Sequence, residues 1–243
     1  NYLLMAEDQK IKEKCSDCSV RELCFPMEIT DADMTQLDVL VKTKIKVRKK
    51  EYLYRQGDEF NSIYAVRVGF LKTAITNSQG EEKILGFNMS GELLGLDGFA
   101  NNKYESSVVA LHDSEICVIE KNRIDEISQT FHPLQNCLQK ILSTEIVRNN
   151  NLSISMSSMN AEQKISTFLL NLGQRFKMRN QSENHFILRM TRSEIGSYVD
   201  LTVETVSRTL RKLESMGVIK IHSKLIKIID INKLKENLIS CQT

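Results

Sequence analysis

The chain has 243 residues, 41% of them apolar and 26% charged, with 2 prolines, no tryptophan and a formal net charge of +2. That balance describes a folded protein of one large or two modest domains and excludes collagen-like, mucin-like and disordered classes. No apolar run approaches the ~18 residues of a membrane span. The opening NYLLMAEDQKIKEK turns charged too early for a signal-peptide core, so a cytoplasmic chain with no membrane partner is expected. Asn1, with Met5 close behind, leaves the native start open. Charge is unevenly spread: residues 160–243 carry 14 Lys+Arg against 8 Asp+Glu, and the remainder 19 against 23. A basic C-terminal third is one mark of nucleic-acid contact, a solvated surface being the plain alternative.

The first feature along the chain is Cys15-Ser16-Asp17-Cys18-Ser19-Val20-Arg21-Glu22-Leu23-Cys24, a C-x2-C-x5-C spacing. Three thiols this close suit a metal, since disulfides are unusual in a cytosolic chain. A closed zinc site and a four-cysteine iron-sulfur cluster both need a fourth ligand, and the spacing matches neither a zinc ribbon nor the bacterial ferredoxin run. Of the other cysteines, Cys117 is the better fourth ligand, because a rigid strand can tie a flexible N-terminal segment down. Cys137 opens a helix and Cys241 stands near the end.

Seven of the ten glycines, Gly57 to Gly98, fall within about 40 residues, a spacing that means turns between short strands. Ser62–Val66, Phe70–Ile75, Lys83–Phe87, Ser107–Leu111 and Glu115–Ile119 are β-branched or alternating, which predicts an antiparallel barrel or roll over residues 45–120.

From Pro133 to Met156 the pattern turns helical. Leu138, Leu142, Leu152 and Met156 fall on heptad a and d positions, with Gln135, Glu145 and Asn149 in the same seam and Ile146 beside it. Such a helix can pair with its own copy or pack on its own barrel; pairing is favoured because it lies in sequence between two domain-like blocks. A second helix follows over Ala161–Lys177, then a polar loop at 179–184.

Thr191-Arg192-Ser193-Glu194 has the form of a capping box and opens a short helix through Ile195, Tyr198 and Val199. Thr202 then caps a longer helix that runs through Met216 and stops at Gly217, so the pair reads as a helix-turn-helix. Val206, Leu210 and Leu213 make its buried face. Val203, Glu204, Ser207, Arg208 and Arg211 face outward, where arginine can fork onto guanine, carboxylate can accept from cytosine and serine can serve several bases. Residues 218–230 alternate apolar positions with Lys220, His222, Lys224 and Lys227, a wing with phosphate-facing charge.

No arrangement of Ser, His and Asp, no Gly-rich phosphate loop and no acid pair points to catalysis, and His112, His132, His185 and His222 lie in separate elements. The chain is read as a non-enzyme with no catalytic residues.

DCS…LC.P at Asp17–Pro26, GELLG at Gly91–Gly95, the strand cysteine Cys117 and LTVETVSRTL at Leu201–Leu210 together resemble the FNR branch (fumarate and nitrate reduction regulators) of the cyclic-AMP receptor superfamily, over nearly the whole chain. The resemblance implies an α+β architecture. A cysteine-rich cluster-binding segment (1–28) precedes an antiparallel β-roll of cyclic-nucleotide-binding type (29–132). A dimerisation helix (133–158) leads to a winged helix-turn-helix domain (159–243). It also implies a 4Fe-4S cluster on Cys15, Cys18, Cys24 and Cys117 that oxygen destroys, a homodimer, and binding to a TTGAT-N4-ATCAA palindrome in double-stranded DNA. A contact with RNA polymerase near Gly80, Glu81 and Glu82 completes the implied set. A structural zinc in the same fold, and an iron-sulfur redox protein, stand as alternatives. Cyclic nucleotide is not expected, because no arginine occurs between Gly91 and Lys121 and Glu105 precedes Ser106 where a phosphate wants a cation. At the middle of the seam Asn149 is flanked by Arg148 and Asn150, with no acid nearer than Glu145, so repulsion between cluster-free copies is expected to be slight.

Overall fold

The computed structural model describes residues 14–26, 30–41, 43–129 and 131–239, and Cys241 lies outside them. The chain divides into two compact units, Asn1–Thr76 with Gly86–Ser143 and Asn77–Leu85 with Thr144–Thr243. In no described helix is there an apolar stretch long enough to cross a membrane.

The first unit is a roll of two antiparallel sheets. Its strands are β1 (Thr43–Val47), β2 (Tyr52–Tyr54), β3 (Ser62–Val68), β4 (Phe70–Thr76), β5 (Glu82–Met89, which enters this unit at Gly86), β6 (Leu93–Leu94), β7 (Ser107–Ala110) and β8 (Ser114–Glu120). One sheet runs β1-β8-β3-β6 and the other β2-β7-β4-β5. Alternation places Ile63, Leu71, Val108, Ile116 and Ile119 in the core. All five predicted strands are present, with ends shifted by one or two residues.

The reading missed β1, the very short β2 and β6, and three helices, α1 (Arg21–Cys24), α2 (Asp31–Leu40) and α3 (Lys121–Ser128); in the second unit it missed the strand His185–Ile187 and the helix Ile231–Ile239. Helix α2 mixes apolar and acidic positions, and its Leu37 and Leu40, with the following Val41, are buried against the roll. A 3₁₀ turn, Cys15–Asp17, opens the described chain, and another spans Leu96–Phe99.

Helix α4 covers His132–Ser158, close to the predicted span. In the first unit its Leu134 and Cys137 are buried in the roll's core, with Leu138 and Ile141 packed beside them.

The second unit contains α5 (Ala161–Lys177), β9 (His185–Ile187), α6 (Arg192–Val199), α7 (Val203–Ser215), β10 (Ile219–His222), β11 (Leu225–Ile228) and α8 (Ile231–Ile239). Its sheet runs β10-β11-β9. Helix starts are set by local chemistry: Asn160 with Gln163 and Thr191 with Glu194 form reciprocal capping boxes, and the Thr202 side chain accepts from the Thr205 N–H. Helix α6 ends where Asp200 adopts a left-handed conformation (φ 58°), which turns the chain sharply into α7.

Candidate metal centre and nucleic-acid interface

Cys15, Cys18, Cys24 and Cys117 lie in the first unit outside any disulfide, Cys15 and Cys18 half-buried, Cys24 and Cys117 buried. The segment that carries three of them is wound by backbone bonds from Cys18 N–H to Cys15 C=O (3.1 Å), Arg21 to Cys18 (3.2 Å) and Cys24 to Val20 (3.1 Å). Ser16 anchors it: its N–H and its hydroxyl each donate to one oxygen of Asp38 on α2, both at 3.0 Å. Its carbonyl accepts from Arg21 Nη1, also at 3.0 Å.

Burial pushes the Cys15 thiol up to about 12, with Cys117, Cys18 and Asp38 adding to the rise and Lys44 opposing it. Cys117 is pushed up to about 11, again chiefly by burial, with Lys44 the strongest counterweight. Lys44 lies opposite Cys117 in the β1–β8 register, so both side chains leave the same face of the sheet. Three thiols that feel one another, with a fourth on the same short segment, form a donor set suited to a thiolate-ligated group. Among the described residues no three metal-ligating side chains are drawn together closely enough to hold a single ion. Cys137, buried in the roll's core, is pushed up to about 11 by burial and feels none of the four thiols.

Inside the roll, Tyr54 and Tyr104 stack with ring centroids 3.9 Å apart, and Phe60 meets Tyr104 edge-on at 5.5 Å. The Tyr104 hydroxyl donates to the Ser62 carbonyl at 2.7 Å. Ser106, buried, donates to Asp97 Oδ2 at 2.6 Å.

On α4, Leu142, Ile146, Val147 and Asn149 are exposed, Ile146 at 61%. Leu138 is partly turned to the roll. The side chains of Leu152 and Met156 lie outside the described residues.

On α7, Val206, Leu210 and Leu213 are buried as the periodicity predicts, with Thr209 beside them. Val203, Glu204, Arg208 and Arg211 are exposed, and Ser207 is half-buried. The wing is the β10–β11 hairpin, turned at Ser223 (φ 57°), with Lys220, His222, Lys224 and Lys227 exposed. Register puts Lys220 opposite Lys227 and Lys227 opposite His185 of β9, so three basic or titratable side chains form one row across the sheet. Sequence reading missed His185 in this row, as it missed Lys44, Ser16 and Asp38 at the thiols. All depend on pairings between distant residues.

Residues 44–131 match the cyclic nucleotide-binding domain and residues 163–237 the Crp-like helix-turn-helix domain. The chain is 40% identical over 230 residues to the transcriptional activator protein anr of Pseudomonas aeruginosa, covering 93% of this chain and 94% of that one. It is 36% identical over 222 residues to the anaerobic regulatory protein of Haemophilus influenzae, covering 91% and 86%. Among solved structures, FixK2 from Bradyrhizobium japonicum shares the fold at a TM-score of 0.74 and 22% identity, covering 80% of this chain and 96% of that one. Two matched domains in this order, together with relatives alike over nearly their whole length, make the chain a member of the FNR branch of the Crp/FNR family of bacterial transcription regulators.

Proposed function

We propose that the chain is an oxygen-responsive regulator: Cys15, Cys18, Cys24 and Cys117 hold a 4Fe-4S cluster when oxygen is absent, two copies pair through α4, and the paired α7 helices read a TTGAT-N4-ATCAA palindrome. The observation that carries this reading is the gathering of thiols from one short segment beside a thiol on β8. Four cysteines are a cluster's ligand complement. The name of the Haemophilus relative points the same way.

Bound there, a 4Fe-4S cluster supplies a group that oxygen destroys. The chain's own residues do the remaining work. The stripe of Leu142, Ile146 and Asn149 offers a second copy a part-apolar, part-polar surface, which suits reversible pairing. Glu204, Ser207, Arg208 and Arg211 present hydrogen-bonding groups to base edges, while Lys220, Lys224 and Lys227 meet phosphates. The exposed turn at Gly80, Glu81 and Glu82 offers RNA polymerase a small acidic surface. Cyclic nucleotide has no place in this reading, because Ser106 is engaged by Asp97 and Glu105 brings charge of the wrong sign.

An anaerobic visible spectrum with iron analysis tests the proposal. Brown absorbance that bleaches in air, with about four irons per chain, is expected. A colourless zinc-loaded chain makes the centre structural, and an iron-loaded chain that ignores the palindrome makes it a redox protein.

A further inference from the structure

We propose that Asp38 is the positioning residue of the thiol site: from α2, its carboxylate takes both donors of Ser16 and fixes the segment between Cys15 and Cys18 against the roll before any metal binds. The inference rests on reading the four thiols as a cluster site.

The geometry is specific. Asp38 lies 22 residues downstream of Ser16, on a helix anchored by the buried Leu37 and Leu40, so its carboxylate is held by the roll and not by the cysteine segment. Each oxygen takes one donor of a single residue, the N–H and the hydroxyl, both at 3.0 Å. The third polar group of Ser16, its carbonyl, is held by Arg21. All three are thus committed, and with them the direction in which Cys15 and Cys18 leave the backbone. Charge-assisted bonds of this kind are the stronger class, which suits a short segment with little apolar surface of its own.

A neutral amide can make both bonds in weaker form, one atom accepting from the N–H and the other donating to the hydroxyl oxygen.

Asp38→Ala removes both bonds, and Asp38→Asn keeps them in weaker form. In the full-length metal-free chain under anaerobic reducing conditions, iodoacetamide should label Cys15 and Cys18 roughly tenfold faster in Asp38→Ala than in wild type, from the loss of one to two net hydrogen bonds. Asp38→Asn should fall between the two. Cys137, deep in the roll, serves as the internal control and should be unaffected in both. After cluster assembly, visible absorbance should bleach faster than wild type in Asp38→Ala and at an intermediate rate in Asp38→Asn. Equal labelling of Cys15 and Cys18 in wild type and Asp38→Ala overturns the proposal. So does a parallel rise at Cys137, which would mean general loosening of the roll, or an Asn variant that bleaches as fast as the Ala variant. A wild-type chain that takes up no iron defeats the cluster reading instead, and the labelling comparison still reports on the clamp.

Discussion

Lys220 on β10 stands directly opposite Lys227 on β11, in register, with both side chains exposed. Like charges in this arrangement destabilise a hairpin, by roughly 0.2–1 kcal/mol. A polyanion that neutralises both removes that penalty. Replacing either lysine with Thr should therefore raise the thermal midpoint of the free protein slightly. The same change should weaken cognate and random DNA alike and reduce the salt slope by about 0.9 per lost phosphate contact. Melting curves and filter binding at several salt concentrations check the two effects; a variant with both unchanged places the wing away from the phosphates.

Arg208 occupies the exposed face of α7 one turn after Glu204. Arg208→Ala should cost roughly 1–3 kcal/mol on TTGAT-N4-ATCAA and little on random DNA, the reverse of the lysine pattern. Competition at fixed salt against a guanine-substituted palindrome measures this. Undiminished discrimination would assign the guanine to another side chain.

Alanine at Cys15, Cys18, Cys24 or Cys117 should abolish anaerobic cluster assembly, whereas Cys137→Ala and Cys241→Ala should leave the iron content intact. Cys137 supplies a pH test of the folded roll. Its thiol stands at about 11 against an ordinary 9.0, so near neutral pH it holds roughly a hundredfold less thiolate than a free cysteine. Alkylation of native Cys137 should therefore rise about tenfold per pH unit until about 11. Because its folded value is raised, its contribution to stability is complete below about 9 and is lost as pH climbs through about 11. Mass-mapped labelling across pH 7 to about 10 gives the slope.

Leu142 and Ile146 leave α4 one turn apart, and both are exposed. Leu142→Glu should give monomers, since pairing would bring two carboxylates into an apolar contact, and affinity for the palindrome should fall with it. Sedimentation of the cluster-loaded variant as an unaltered dimer would move the interface elsewhere.

The turn at Asn77–Glu82 is tied internally, with Asn77 Oδ1 accepting from the Gln79 and Glu81 N–H groups and Asn77 Nδ2 donating to Glu81. Reversing the charge of Glu81 and Glu82 should lower transcription from a bound promoter while DNA affinity stays unchanged. A footprint together with an in vitro transcription assay separates the two.

What the sequence disclosed was local. The Thr191 capping box, the Thr202 cap, the spacing of Val206, Leu210 and Leu213, and the strand alternation each arise from residues a few positions apart, and each survives in the fold. What stayed hidden depends on register or long-range contact. The grip of Asp38 on Ser16, the placing of Lys44 beside Cys117 and the stacking of Tyr54 on Tyr104 follow from how strands and helices meet, for which no short pattern exists. Helix α2 was different, because Met34, Leu37, Leu40 and Val41 recur at helical intervals and the signal was there to be read.

The turn between α6 and α7 leaves no room at Gly196, where an added methyl would stand 2.5 Å from the Leu201 carbonyl oxygen and 3.6 Å from a methyl of Val206. Both neighbours sit at the root of α7, whose 13 residues extend roughly 20 Å. The root of that helix is a fulcrum. A displacement of a few tenths of an ångström there swings the far end through a larger arc, and a hydrogen bond to a base edge weakens steeply once its angle is lost. In the proposed reading, the aim of α7 at the bases rests partly on a single missing carbon atom, at a position outside that helix.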